Sequence, residues 1–234
     1  MTQLPLFDHD DEDAAAQKAR AAQIYQRINT TAAANRDRWY PTSLSHYIDQ
    51  PFKALIASML SAQTREEQTT TATQALFDLA DTPEALLERS DEQIMAAIRP
   101  VSYAGSKLRY LRDICTRLVE NNGVVPQDVE TLMQYKGVGW KVATLSLLIG
   151  YGRAEDIPVD VHVKRVGIRM GFVDPQTKKA ELVSEQLKVV LPEAAWPRWN
   201  PLMVQFGREV CTGRAPDCAH CPVNDLCPKI GVNR

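Results

Sequence analysis

Apolar residues recur along most of this chain three and four positions apart. No stretch keeps the strict alternation of a half-buried strand. The spacing predicts helices over 13–29, 106–120, 127–135, 140–151, 160–171, 178–190 and 196–210. The segment Pro51–Gln63, PFKALIASMLSAQ, reads as a buried helix opened by its proline. Two further starts are marked locally. Thr82 precedes Pro83 as an N-cap, and Ser90 with Gln93 forms a capping-box pattern ahead of Ile94. Short turn signals separate these segments: Asn121-Asn122-Gly123, Gly137-Val138-Gly139, Asp174-Pro175 and Trp196-Pro197. The pattern predicts an all-α chain of about ten helices.

Composition narrows the classes. At 234 residues the chain has room for one large domain or two small ones. Its longest apolar stretches, Ala54–Leu60 and Val142–Gly150, are too short to span a bilayer. The N-terminus, MTQLPLFDHDDEDAAAQ, is acidic and lacks the basic start and apolar centre of a signal peptide, so a cytoplasmic protein is expected. Thiols stay reduced there, and clustered cysteines then favour metal over disulfides. The net charge of −2 argues at first against a nucleic-acid partner. The charge is uneven, however. Residues 1–20 hold five acids and two bases, and the remainder carries 25 bases against 24 acids. Windows 103–118 and 132–171 are the most basic. Such windows serve either as phosphate-facing patches or as solvated helix faces.

Three groups of residues carry candidate chemistry. Tyr135-Lys136-Gly137-Val138-Gly139-Trp140-Lys141 joins two helices. Its glycines allow unusual backbone conformations and close approach of amides to a ligand. The next helix begins there with its free N–H groups and positive dipole end, an arrangement that binds phosphate. Lys141, just inside that helix, opposes the dipole; this placement and nearby Lys136 favour the neutral, nucleophilic amine. Asp160, in Ile157-Pro158-Val159-Asp160-Val161-His162, is a candidate helix cap and a candidate partner for Lys141, while His162 reads as structural. Cys211, Cys218, Cys221 and Cys227 form a C-x6-C-x2-C-x5-C quartet. Ligand chemistry alone allows an iron–sulfur cluster or a zinc ion. Cys115 lies apart, as a core thiol on a helix.

Taken in order, G-V-G-x-Lys, V-D-x-H and the cysteine quartet resemble the endonuclease III family of helix–hairpin–helix DNA glycosylases. The resemblance runs from about Pro51 to Cys227, and Leu60-Ser61-Ala62-Gln63 matches the family's L-S-x-Q pattern. It implies two helical domains with a DNA cleft between them: a six-helix barrel with the hairpin over 45–152, and a cluster domain formed by 21–44 with 153–234. Residues 1–20 are then an acidic, disordered tail. The four cysteines would hold a 4Fe–4S cluster. The implied activity is base excision repair, as a glycosylase and AP lyase on oxidised pyrimidines, with double-stranded DNA as partner. The resemblance gives Lys141 the role of nucleophile at C1′ and Asp160 that of the supporting carboxylate. Gly137, Val138 and Gly139 would bind a phosphate, and Gln63 would fill the gap left by a flipped base. Lys107, Arg109 and Arg214 are expected phosphate contacts on charge, and Lys136 is expected to add phosphate affinity.

Departures from the family pattern stand beside the matches. Tyr135-Lys136 replaces Leu-Pro before G-V-G, and Trp140 replaces a basic residue. The loop that carries an apolar wedge in relatives reads Ser102-Tyr103-Ala104-Gly105-Ser106-Lys107, with Tyr103 at the wedge position. A monomeric, nucleoid-associated enzyme with no membrane association is expected. A weakly catalytic DNA-binding iron–sulfur protein and a zinc-stapled interaction module are the competing readings.

Overall fold

The computed structural model describes residues 11–35 and 43–232. They hold eleven α-helices, two 3-10 helices and no strand. In chain order the first are α1 (Asp11–Ala34), α2 (Pro51–Ser61), α3 (Glu66–Leu79), α4 (Pro83–Leu87), α5 (Asp91–Ile98) and α6 (Ala104–Glu120). There follow α7 (Val129–Leu132), α8 (Trp140–Tyr151), α9 (Val161–Arg169), α10 (Ala180–Val190) and α11 (Trp196–Glu209). The chain divides into two compact units, Pro41–Pro158 and a second made of Met1–Tyr40 with Val159–Arg234.

In the first unit α2 and α8 are apolar on nearly all sides, as helices at the centre of a core must be. Ala54–Leu60 is wholly buried, as is Val142–Leu147. The two pack closely: a Cβ on Gly150 of α8 would lie 2.7 Å from the Pro51 Cα. Leu76, Leu86, Ile94, Ile98, Leu111, Ile114 and Leu118 from the surrounding helices complete this core. Each such side chain contributes roughly 1.5–3 kcal/mol on leaving water. The short helices depend on their caps. Thr82 accepts from the Ala85 amide, the Ser90–Gln93 box closes at 2.9 and 3.3 Å, and Asp128 accepts from Thr131 at 2.7 Å.

The second unit packs α1, α9, α10 and α11 around Ile24, Ile28, Val163, Val166, Leu187, Trp199 and Phe206, all buried. Two expectations change here. Residues 11–20 belong to α1, and Gln17 and Arg20 bond to the backbone of Gly171 and Met170, so that half of the acidic segment is ordered. Residues 1–10 lie outside the described residues. The helix expected over 127–135 is confined to Val129–Leu132, while α3 was not marked by any start signal.

Candidate active site and cysteine loop

The G-V-G turn sits between α7 and α8 and is held from below. Val138 buries its side chain in the core and donates its amide to Tyr135 O at 3.1 Å. Gly137 has φ +79°, and a Cβ there would stand 2.3 Å from the Tyr110 ring, so glycine is required twice over. Gly139 differs: φ is −98° and ψ −179°, ordinary extended backbone, with open space where a Cβ would be. The expectation that both glycines supply special conformations therefore holds for Gly137 alone. Gly139 contributes an unobstructed approach to the opening amides of α8. Asp113 on α6 accepts the Lys136 amide at 3.1 Å and pairs with its ammonium at 3.2 Å. Burial alone raises the Asp113 carboxyl, but the Lys136 hydrogen bonds and the Lys136 and Arg117 charges carry it below the usual carboxylate value. Lys136 is thus exposed but already paired.

Lys141 lies in the first turn of α8, half-buried, and its Nζ donates to Ser61 Oγ at 3.3 Å. Ser61 closes α2, and its own hydroxyl donates to Ser58 O at 2.8 Å. Trp140, beside the lysine, has its indole N–H buried with no hydrogen-bond partner among the described residues. Two residues beyond Ser61, Gln63 is exposed with φ +55°. Tyr103, the N-cap of α6, is 69% exposed with φ +57°. Neither residue is glycine, so both positions carry local strain of about 1 kcal/mol or more.

Lys107 is the main correction. Expected on the surface against phosphate, it is only 4% exposed. Its ammonium donates to Leu60 O at 2.6 Å, Ala62 O at 2.8 Å and Thr64 Oγ1 at 2.8 Å. Burial, with the neighbouring Lys141 charge, lowers its pKa from 10.5 to about 8. Arg214, by contrast, is exposed on the loop between Cys211 and Cys218.

Asp160 belongs to the other unit and caps α9, accepting from His162 N at 2.9 Å and Val163 N at 2.8 Å. Burial lowers the His162 pKa, and the Arg165 and Arg208 charges act in the same sense against Asp160. The same helix grips the cysteine loop from within. Arg165 donates to Cys211 O at 3.0 Å and Gly207 O at 2.8 Å. Arg169 donates to Thr212 O at 2.6 Å, Gly213 O at 2.9 Å and Cys211 Sγ at 3.3 Å. Arg20 of α1 reaches Leu226 O at 3.1 Å. These arginines were not singled out from the sequence, where they read as surface charge.

All four cysteines line one cavity with Met170, Phe206, Val210 and Val223. Among the described residues no three His, Cys, Asp or Glu side chains converge closely enough to share one metal ion. Burial pushes Cys221 up to about 11 and also raises Cys227, with the neighbouring sulfurs adding to both. A cation bound between them would favour the thiolate forms of Cys221 and Cys227. Cysteine thiolates lining one cavity are soft ligands of the kind that hold iron–sulfur clusters or zinc.

The glycine turn, with Lys141 two residues beyond Gly139, thus lies between two helices of an all-helical unit. The family model described as HhH-GPD superfamily base excision DNA repair protein matches residues 56–193. The chain is 35% identical to endonuclease III of Thermotoga maritima over 184 residues, covering 78% of this chain and 85% of that one. It is 36% identical to endonuclease III of Treponema pallidum over 182 residues, covering 77% and 85%. A solved structure of a trapped endonuclease III–DNA covalent intermediate superposes with a TM-score of 0.75 at 30% identity, covering 88% of this chain and 95% of that one. The chain belongs to the endonuclease III family of the HhH-GPD superfamily.

Proposed function

We propose that this protein is a bifunctional DNA glycosylase and AP lyase that excises oxidised pyrimidines through Lys141. The observation that carries the reading is the placement of Lys141. It stands in the first turn of α8, its amine on the Ser61 hydroxyl, two residues after a turn in which Gly137 is obligatory. The neutral amine attacks C1′ of an extruded nucleotide, and the glycosidic bond breaks with its electron pair leaving on the base, which takes up a proton. Loss of a proton from nitrogen and opening of the sugar give a Schiff base. Removal of a C2′ proton then expels the 3′ phosphate. Asp160 takes the supporting carboxylate role that the family resemblance gives it. Gly139 and the first amides of α8 receive a phosphate, with Val138 contributing its buried side chain rather than its amide. Gln63 and Tyr103 occupy the space around the extruded nucleotide.

Cys211, Cys218, Cys221 and Cys227 hold a 4Fe–4S cluster in this reading, and it supplies positive charge that keeps the thiolates together and the loop folded. Single-turnover excision from duplexes with one oxidised pyrimidine tests the function. Wild type is expected to release the base and cut the strand, and Lys141→Ala to do neither. Salt-dependent duplex binding by wild type with no excision from any lesion would favour the weakly catalytic DNA-binding reading instead.

A further inference from the structure

We propose that Lys107 is a positioning residue that fastens two loops, Leu60–Thr64 and Ser102–Tyr103, into one rigid piece beside Lys141. The inference rests on the reading of Lys141 and Gln63 given above. An ammonium has three N–H donors, and all three of Lys107 are spent, two on the carbonyls of Leu60 and Ala62 and one on the Thr64 hydroxyl. Thr64 Oγ1 passes the connection on. It also accepts the Ser102 amide at 3.3 Å and donates to Ala62 O at 3.3 Å, which uses its two lone pairs and its proton. One buried cation and one hydroxyl therefore tie the loop after α2 to the turn before α6.

What they tie is unusual. Gln63 stands between Ala62 and Thr64, and Tyr103 follows Ser102. Both are exposed, non-glycine residues in the left-handed region. Strain at such positions persists only where the surroundings over-determine it. The carbonyl of Leu60 belongs to the last turn of α2, where a lone cation is also favoured by the helix dipole. Every partner of the ammonium is a neutral oxygen. A lysine serving stability alone is better placed on a carboxylate or in water, because desolvation here opposes its charge.

The rival roles separate in one set of measurements on the full-length protein. Wild type, Lys107→Met and Thr64→Val are compared for binding to undamaged duplex across a salt series. They are then compared in single-turnover excision with saturating enzyme, scaled to the fraction of active protein. A positioning role predicts that Lys107→Met lowers the maximal excision rate about tenfold or more. Duplex affinity and its salt slope should stay within about twofold. Thr64→Val should show the same pattern more weakly, and the double variant should be no slower than Lys107→Met alone, because both act through one connection. A reduced salt slope with an intact maximal rate would make Lys107 a phosphate contact and overturn the proposal. So would an unchanged maximal rate in folded Lys107→Met. If Lys107→Met fails to fold, Thr64→Val decides: an unchanged maximal rate there overturns the proposal too. Absence of excision by wild type would instead sink the underlying assignment of Lys141.

Discussion

The two loop systems of this protein hold charge in opposite ways. Around Lys107 a buried cation is matched by oxygens of the polypeptide itself, and the arrangement is complete without any added group. Around the cysteines the polypeptide bonds mainly to the loop's backbone, with Arg169 also reaching the Cys211 sulfur. Arg20, Arg165 and Arg169 satisfy the loop's carbonyls, while burial pushes the Cys221 and Cys227 thiols towards their protonated forms. The first system is preorganised by folding, and the second, on the proposed reading, is completed by a bound cluster. A site that must present strained side chains on demand is built from the first kind. A fixed surface loop tolerates the second.

The largest expected effect separates the two directly. On the proposed reading, removing the cluster with a chelator, or changing Cys221→Ser, should unfold the segment from Cys211 to Cys227. In structural zinc sites such metal-coupled folding is worth on the order of 10 kcal/mol. Hydrogen exchange should show that segment losing protection, while amides of α2 and α8 keep theirs. Equal loss in both would break the contrast.

Gly137→Ala comes next. It adds left-handed strain and a Cβ inside the Tyr110 ring, and should cost about 2–4 kcal/mol in denaturant unfolding. Gly139→Ala, extended and open, should cost less than about 1 kcal/mol while weakening duplex binding. Similar costs at both positions would refute the separate roles given to the two glycines.

A pH series sharpens the account of Lys107. Folding lowers its pKa from 10.5 to about 8, so the folded chain gives up this proton first and the unfolded chain binds more protons between those values. Stability contributed by the group therefore rises with pH across that window. Wild type should gain on Lys107→Met in chemical denaturation between pH 8 and pH 10, and a difference that is flat with pH would contradict its burial as a charged group. The smallest effect is Ser90→Ala, which opens the capping box of α5 for about 1 kcal/mol and should leave excision unchanged.

Much of this was legible along the chain because it is local. The Thr82–Pro83 start, the Ser90–Gln93 box and the apolar runs of α2 and α8 each need only neighbours in sequence. So do the glycine turn, Lys141 and the cysteine spacing. What was not legible is tertiary. Lys107 sits in a basic window and reads as surface charge; only the carbonyls at the end of α2, 45 and 47 residues away, turn it inward. Arg165 and Arg169 read the same way, and their acceptors lie more than 40 residues on. The left-handed conformations of Gln63 and Tyr103 have no signature in residue type, since glycine is absent from both positions. Helix α3, rich in threonine and short of apolar residues, escaped for want of a strong period.

The central claim is that Lys141 is the group that reacts with DNA. Borohydride reduction of the protein on a duplex with a single abasic site, followed by peptide mapping of the adduct, tests it most directly. The account predicts one cross-linked peptide, modified at Lys141, and no adduct in Lys141→Ala. An adduct on any other residue, or one that persists in Lys141→Ala, would contradict it.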